Sequence, residues 1–144
     1  MSLVSQSREY GLARVLLVDD DPTARLTLQT VLQTCGYHVE TAASAAEAAG
    51  KLEDREYELV LSDLNLESPE AGRNVLAQAR NMSYKPATAL LTSYHDGQRP
   101  HPVYRQKSLL IKPEDIPGLL SKVADLIGER ATRRLHRELR LAGV

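Results

Sequence analysis

Apolar residues along this chain follow two rhythms. Short runs of four to six residues, mostly aliphatic except at 37–42 (YHVETA), occupy 14–18 (RVLLV), 37–42, 58–62, 87–91 and 108–111. Short runs of this kind suit strands buried on both faces of a parallel sheet. Between them, apolar positions recur every three or four residues, the period of a helix. Ala24, Leu28, Val31, Leu32 and Cys35 form one such stripe, which predicts that Cys35 packs into the core. Asp21-Pro22 reads as an N-cap followed by proline in the first turn, and Gly36 as the stop. Ser44 predicts the cap of an alanine-rich helix reaching Asp54, with Glu47 in the capping-box position. A further helix is expected from about Arg73 to Asn81, and a last one from Asp115 to Ile127 or beyond. Strands alternating with helices make βα units, whose right-handed crossovers place helices on both faces of one sheet. The expected fold is therefore α/β, a doubly wound parallel sheet of five strands.

Parallel strands end on a common edge, and ligands bind outside their carboxyl ends. The first strand delivers Asp19 and Asp20 to that edge, the third Asp63, the fourth Thr92 and the fifth Lys112. Two carboxylates about 4 Å apart repel by roughly 4 kcal/mol at an effective dielectric near 20. A hard cation such as Mg²⁺ offsets that cost with oxygen ligands. A neighbouring lysine and threonine suit the oxygens of a phosphoryl group. Asp21 has a different task, capping the first helix where the helix dipole favours an anion.

Composition narrows the setting. At 144 residues with net charge −1, the chain suits one domain, and nothing in the overall charge calls for nucleic acid. No apolar run approaches the ~20 residues of a membrane span, and the first residues lack a signal-peptide core. Its single cysteine points to a reducing cytoplasm. Phe and Trp are absent, so the core falls to aliphatic residues and tyrosine.

The stretches VLLVDDDP, LVLSDLNL, ALLTS and LLIKP, in that order, resemble the receiver domain of two-component response regulators. The resemblance covers about 14–127, leaving 1–13 as an N-terminal extension and 128–144 as a basic helical extension or linker. It implies a flavodoxin-like sheet of order 2-1-3-4-5 and phosphorylation of Asp63 by a histidine kinase or phosphotransfer protein. It further implies that Mg²⁺ is held by Asp20 directly, by Asp19 mainly through water, by Asp63, and by the backbone carbonyl of Asn65. Thr92 and Lys112 should then contact the phosphoryl oxygens, and Pro113 should follow a cis peptide bond. Such a protein catalyses only its own phosphoryl transfer and dephosphorylation, and switches an unknown output partner or domain.

Two other readings stand beside it. Asp19-x-Asp21-x-Thr23 after an apolar strand also resembles the first motif of haloacid-dehalogenase-type phosphatases, with Asp19 as nucleophile and Asp21 as general acid. Against it, Glu114-Asp115 follows Lys112 too closely to supply that family's late acidic pair, and Asp63 is left without a role. The other is a degenerate receiver that binds partners without being phosphorylated.

The pattern departs from the receiver family in three places. Leu66-Glu67 follows Asn65 where a proline is usual, so the loop is about one residue longer, and Glu67 either approaches the cation or faces solvent. Leu109 occupies the position of the usual aromatic switch residue, leaving Thr92 and, as a substitute ring, Tyr104 as switch candidates. Pro100 and Pro102 oppose a continuous helix between Thr92 and Lys112, so the family's fourth helix should be short or irregular. At the C-terminal end, Arg130, Arg133, Arg134, Arg137 and Arg140 stand against Glu129 and Glu138, giving +3 over 129–140. Leu135 and Leu139, four apart, extend a stripe from Leu126 or Ile127. This reads as a solvated basic helix end, a linker that forms a homodimer, or a contact for an acidic partner.

Overall fold

The computed structural model describes residues 13–92, 110–111 and 114–143. Five parallel strands form one sheet: β1 (Arg14–Val18), β2 (His38–Ala42), β3 (Leu59–Asp63), β4 (Ala87–Leu91) and β5 (Leu110–Ile111), in the order β2-β1-β3-β4-β5. Four helices accompany them among the described residues: α1 (Pro22–Thr34), α2 (Ala45–Asp54), α3 (Ala71–Asn81) and α4 (Ile116–Leu141). The α/β class and the expected strand order hold.

The period of two along each strand divides the core. Leu16, Val18 and Val60 point to the side covered by α2 and α3, where they meet Leu52, Val75 and Leu76. Val15, Leu17, Leu59 and Leu61 point to the other side, against Leu28 and Leu32 of α1 and Leu119 and Val123 of α4. Val15 to Val18 are each 0% exposed. In the absence of Phe and Trp, Tyr57 is a large filler of the first layer and is fully buried.

Helix ends mostly follow the local chemistry. The Asp21 carboxylate accepts the Thr23 N–H at 3.1 Å with Pro22 at the start of α1. Ser44 Oγ accepts the Glu47 N–H at 3.1 Å, but Glu47 reaches back to the Ala43 N–H at 2.7 Å, one residue beyond a standard capping box. Asp115 caps α4 through the Gly118 N–H at 3.2 Å. That helix runs 26 residues, far past Ile127.

Some expectations are corrected. Cys35 is exposed, not core. It stands at the C-cap of α1, where the helix has ended and Gly36, at φ 97°, turns the chain toward β2, so the stripe stops at Leu32. The helix α3 starts at Ala71, two residues before Arg73, with no side-chain cap on its first turn. The strand β3 runs one residue later than expected and includes Asp63. The irregular fourth helix, Tyr104, Leu109, Lys112 and the cis bond before Pro113 all fall outside the described residues.

Candidate functional site

The site is built from strand ends. In β1, buried aliphatic residues give way to Asp19, whose N–H continues the ladder to the Ala42 carbonyl at 3.0 Å. Asp19 is only 5% exposed. Its Oδ1 accepts the Asp21 N–H at 2.9 Å, and its carbonyl accepts Arg25 Nη1 at 2.8 Å. Asp20, next along, is exposed. On the adjacent strand β3, Asp63 is half-buried and its Oδ1 accepts the Asn65 N–H at 3.4 Å. Carboxylate oxygens of Asp19, Asp20 and Asp63 lie within 4.8 Å of one another.

Thr92 is buried directly after β4, and Asp63 pairs with Leu91 in the β3–β4 register. The β4–β5 register sets Ile111 beside Leu91. Asp19, Asp20, Asp63 and Thr92 therefore share the carboxyl edge of the sheet, as the strand-end pattern predicts. Lys112 lies outside the described residues.

The electrostatics follow from crowding. Burial, joined by repulsion from Asp19 and Asp20, pushes the Asp63 carboxyl up to about 6. Burial also raises Asp19, with the Asp21 N–H working against it. At 4.8 Å, each pair of charges costs about 3 kcal/mol at an effective dielectric of 20. Three carboxylates, with no soft donor grouped with them among the described residues, fit a hard divalent cation such as Mg²⁺. Asp21 stays with its helix cap and is not among the three clustered acids.

Two supporting roles escaped the sequence reading, although Glu67 does face solvent, as one of its expected places has it. Both carboxylate oxygens of Glu67 accept the Ala45 N–H, at 3.0 and 3.2 Å, so Glu67 ties the β3–α3 loop to the start of α2. It is not among the acids gathered at the strand ends. Its neighbour Leu66 is buried, which seats the longer loop in the core. Gly72 lies against the backbone carbonyl of Asp63, where a side chain would collide. Neither role has a local signal, since each depends on a partner distant in sequence.

A family model described as the response regulator receiver domain matches residues 15–124. The chain belongs to this receiver family. The transcriptional regulatory protein GlrR of Escherichia coli K12 is 32% identical over 123 residues, 83% of this chain and 27% of that protein. The two-component response regulator ARR11 of Arabidopsis thaliana is 46% identical over 55 residues, 37% of this chain and 11% of that protein. The chain thus spans no more than about a quarter of the length of these curated relatives. Among solved structures, the response regulator TrrA of Thermotoga maritima in complex with Mg²⁺-BeF is 29% identical with a TM-score of 0.66, covering 80% of this chain and 99% of that one. A structure of histidine kinase ThkA in complex with TrrA matches at 31% identity and a TM-score of 0.65, covering 80% of this chain and 98% of that one. Receiver domains of this family are generally regulatory modules.

Proposed function

We propose that this receiver accepts a phosphoryl group on Asp63 from a sensor histidine kinase or a phosphotransfer protein, in the cytoplasm and with Mg²⁺. One observation carries the reading: the carboxylates of Asp19, Asp20 and Asp63 meet within 4.8 Å at the carboxyl edge of a parallel sheet, beside Thr92. Asp63, pushed up to about 6, is still about nine-tenths ionised at pH 7 and available as a nucleophile. An Oδ of Asp63 attacks the phosphorus of a phosphohistidine; the P–O bond forms as the P–N bond breaks, and imidazole leaves with a proton from solvent. Asp20, Asp63 and the carbonyl of Asn65 would hold the cation directly, and Asp19, buried and already bonded to the Asp21 N–H, mainly through water. Mg²⁺, when bound, supplies positive charge against the carboxylates and the incoming phosphoryl oxygens. Thr92 and Lys112 would contact those oxygens, with Thr92 a switch residue and Leu109 and Tyr104 the remaining candidates. Residues 14–127 form the receiver, 1–13 precede it, and 128–144 lead along α4 toward an output partner or domain, or toward a second copy. Among the described residues no helix is long and apolar enough to cross a membrane.

Acetyl phosphate with Mg²⁺, followed by mass spectrometry, tests the assignment. A single adduct on Asp63, absent in Asp63→Asn and made less Mg²⁺-sensitive by Asp20→Ala, is expected. Turnover through Asp19 would instead indicate a phosphatase, and no adduct at all a degenerate receiver.

A further inference from the structure

The opposite edge of the sheet holds a second concentration of charge. The helix α4 descends past the amino ends of the strands and meets the loop that leads into β4. A cavity of about 320 Å³ opens between them. Lys85, Arg130, Arg133, Arg134 and Arg137 line it, against the carboxylates of Glu56 and Glu138, a balance of five positive to two negative.

Arg130 is the built element of this cavity. It is 5% exposed. Its Nε donates to the Lys85 carbonyl at 2.9 Å and its Nη2 to the Tyr84 carbonyl at 2.7 Å. A guanidinium carries five N–H donors, so three are left over in a group that borders the cavity. Arg133, Arg134 and Arg137 are exposed and form no ion pair among the described residues. They follow Arg130 at helical spacings of three, four and seven, so all four guanidinium groups share one face of α4. Like charges at those spacings destabilise a helix. Burial and then Arg134 lower the Arg130 pKa, Glu58 and Glu56 work against them, and Arg133 adds a smaller push downward. The positive charge at this face is thus self-repelling, and among the described residues the nearby carboxylates offset it only in part.

Guanidinium groups are weakly hydrated and match phosphate oxygens two at a time. The cavity is at the small end of the range for ligand sites, which suits a compact anion and not an extended acidic segment. We propose that this cavity is a second anion site, distinct from the Asp63 centre, that takes the phosphate group of a small molecule. That phosphate could be free or carried on a nucleotide, and Ser83 adds a hydroxyl donor at its wall.

The test uses the full chain carrying Asp63→Asn, titrated by calorimetry with pyrophosphate and with AMP at low ionic strength and without Mg²⁺. Saturable one-to-one binding is expected, weakened at least tenfold when Arg134→Gln and Arg137→Gln are added. Both of those side chains are exposed, so the fold is retained. Equal affinity for the two anions makes the phosphate group the whole of recognition, and tighter AMP binding makes a nucleotide the source; either supports the site. No saturation, or affinity unchanged in the double variant, overturns it. So does binding of polyglutamate with neither small anion, which would assign the face to an acidic protein surface.

Discussion

Replacing Gly72 with alanine should harm the fold, although alanine is the better helix former. Gly72 sits in the first turn of α3. A Cβ there would intrude on the Asp63 carbonyl oxygen and lie 3.1 Å from that of Leu64. Both atoms belong to backbone, which cannot rotate away as a side chain would. Overpacking typically costs 1–3 kcal/mol, and a backbone obstacle argues for about 3. Alanine returns about 1 kcal/mol of helix propensity, leaving a net loss of about 2 kcal/mol. Gly50, exposed in α2 with nothing within 4 Å of its own added Cβ, is the control. There the same substitution should gain about 1 kcal/mol. Urea denaturation of the two variants should show midpoints moving in opposite directions, Gly72→Ala falling by roughly 1 M for a slope near 2 kcal/mol/M. Because the displaced carbonyl is that of Asp63, phosphorylation by acetyl phosphate should also slow in Gly72→Ala alone. If both variants gain stability together, the close approach of α3 to the end of β3 is wrong.

The Asp63 carboxyl, raised from 3.8 to about 6 in the folded chain, contributes stability below pH 4 that is lost as pH rises through 6. Without metal, Asp63→Asn should therefore be more stable than the parent at pH 7 by about 1–2 kcal/mol after allowance for solvent, and by almost nothing at pH 4; an equal gain at both pH values in thermal melts would rule out the charge explanation. Glu67→Ala removes the acceptor for the Ala45 N–H and should cost about 0.5–1 kcal/mol, with faster hydrogen exchange at the start of α2 and not at its end. Arg130→Met leaves two carbonyls without their charged donor and should cost about 3 kcal/mol in urea melts. Arg130→Lys should recover little of that, because one ammonium cannot reproduce the fork, and full recovery would show that only charge matters there.

What could be read from the sequence was whatever is locally encoded. The strand β1 declares itself because four adjacent aliphatic residues have no other use, and Asp19 and Asp20 inherit their place from it. Asp21 caps α1 because the Asp-Pro pair is a sufficient local signal. The failures come from a misplaced helix end or from a distant partner. Cys35 has the right angle on the helical wheel, but the helix ends one residue before it. Arg130 reads as one charge among many on a solvated helix end, yet it is buried because carbonyls 45 and 46 residues earlier in the chain accept its donors. Glu67 faces solvent, one of the two places expected for it, but its carboxylate has a structural partner that the sequence did not name. That partner is a helix N-terminus 22 residues upstream.

The same division explains how the fold carries three acids in one place. Repulsion of about 3 kcal/mol per pair acts on the ends of β1 and β3. Those strands can part only by exposing Val15 to Val18 and Leu59 to Leu61, all at 0% exposure. Each such side chain is worth roughly 1.5–3 kcal/mol when fully buried. Several must be uncovered before one pair of charges separates appreciably, so the repulsion is held and not relaxed. Among the described residues it is relieved at the carboxylates themselves, by a proton or by a cation. The local braces point the same way: the Asp21 N–H and Arg25 hold both ends of Asp19, while Gly72 and the tethered loop hold Asp63 from the other side. A metal-free receiver of this design is under electrostatic load at neutral pH, and a divalent cation, if bound as proposed, would relieve that load.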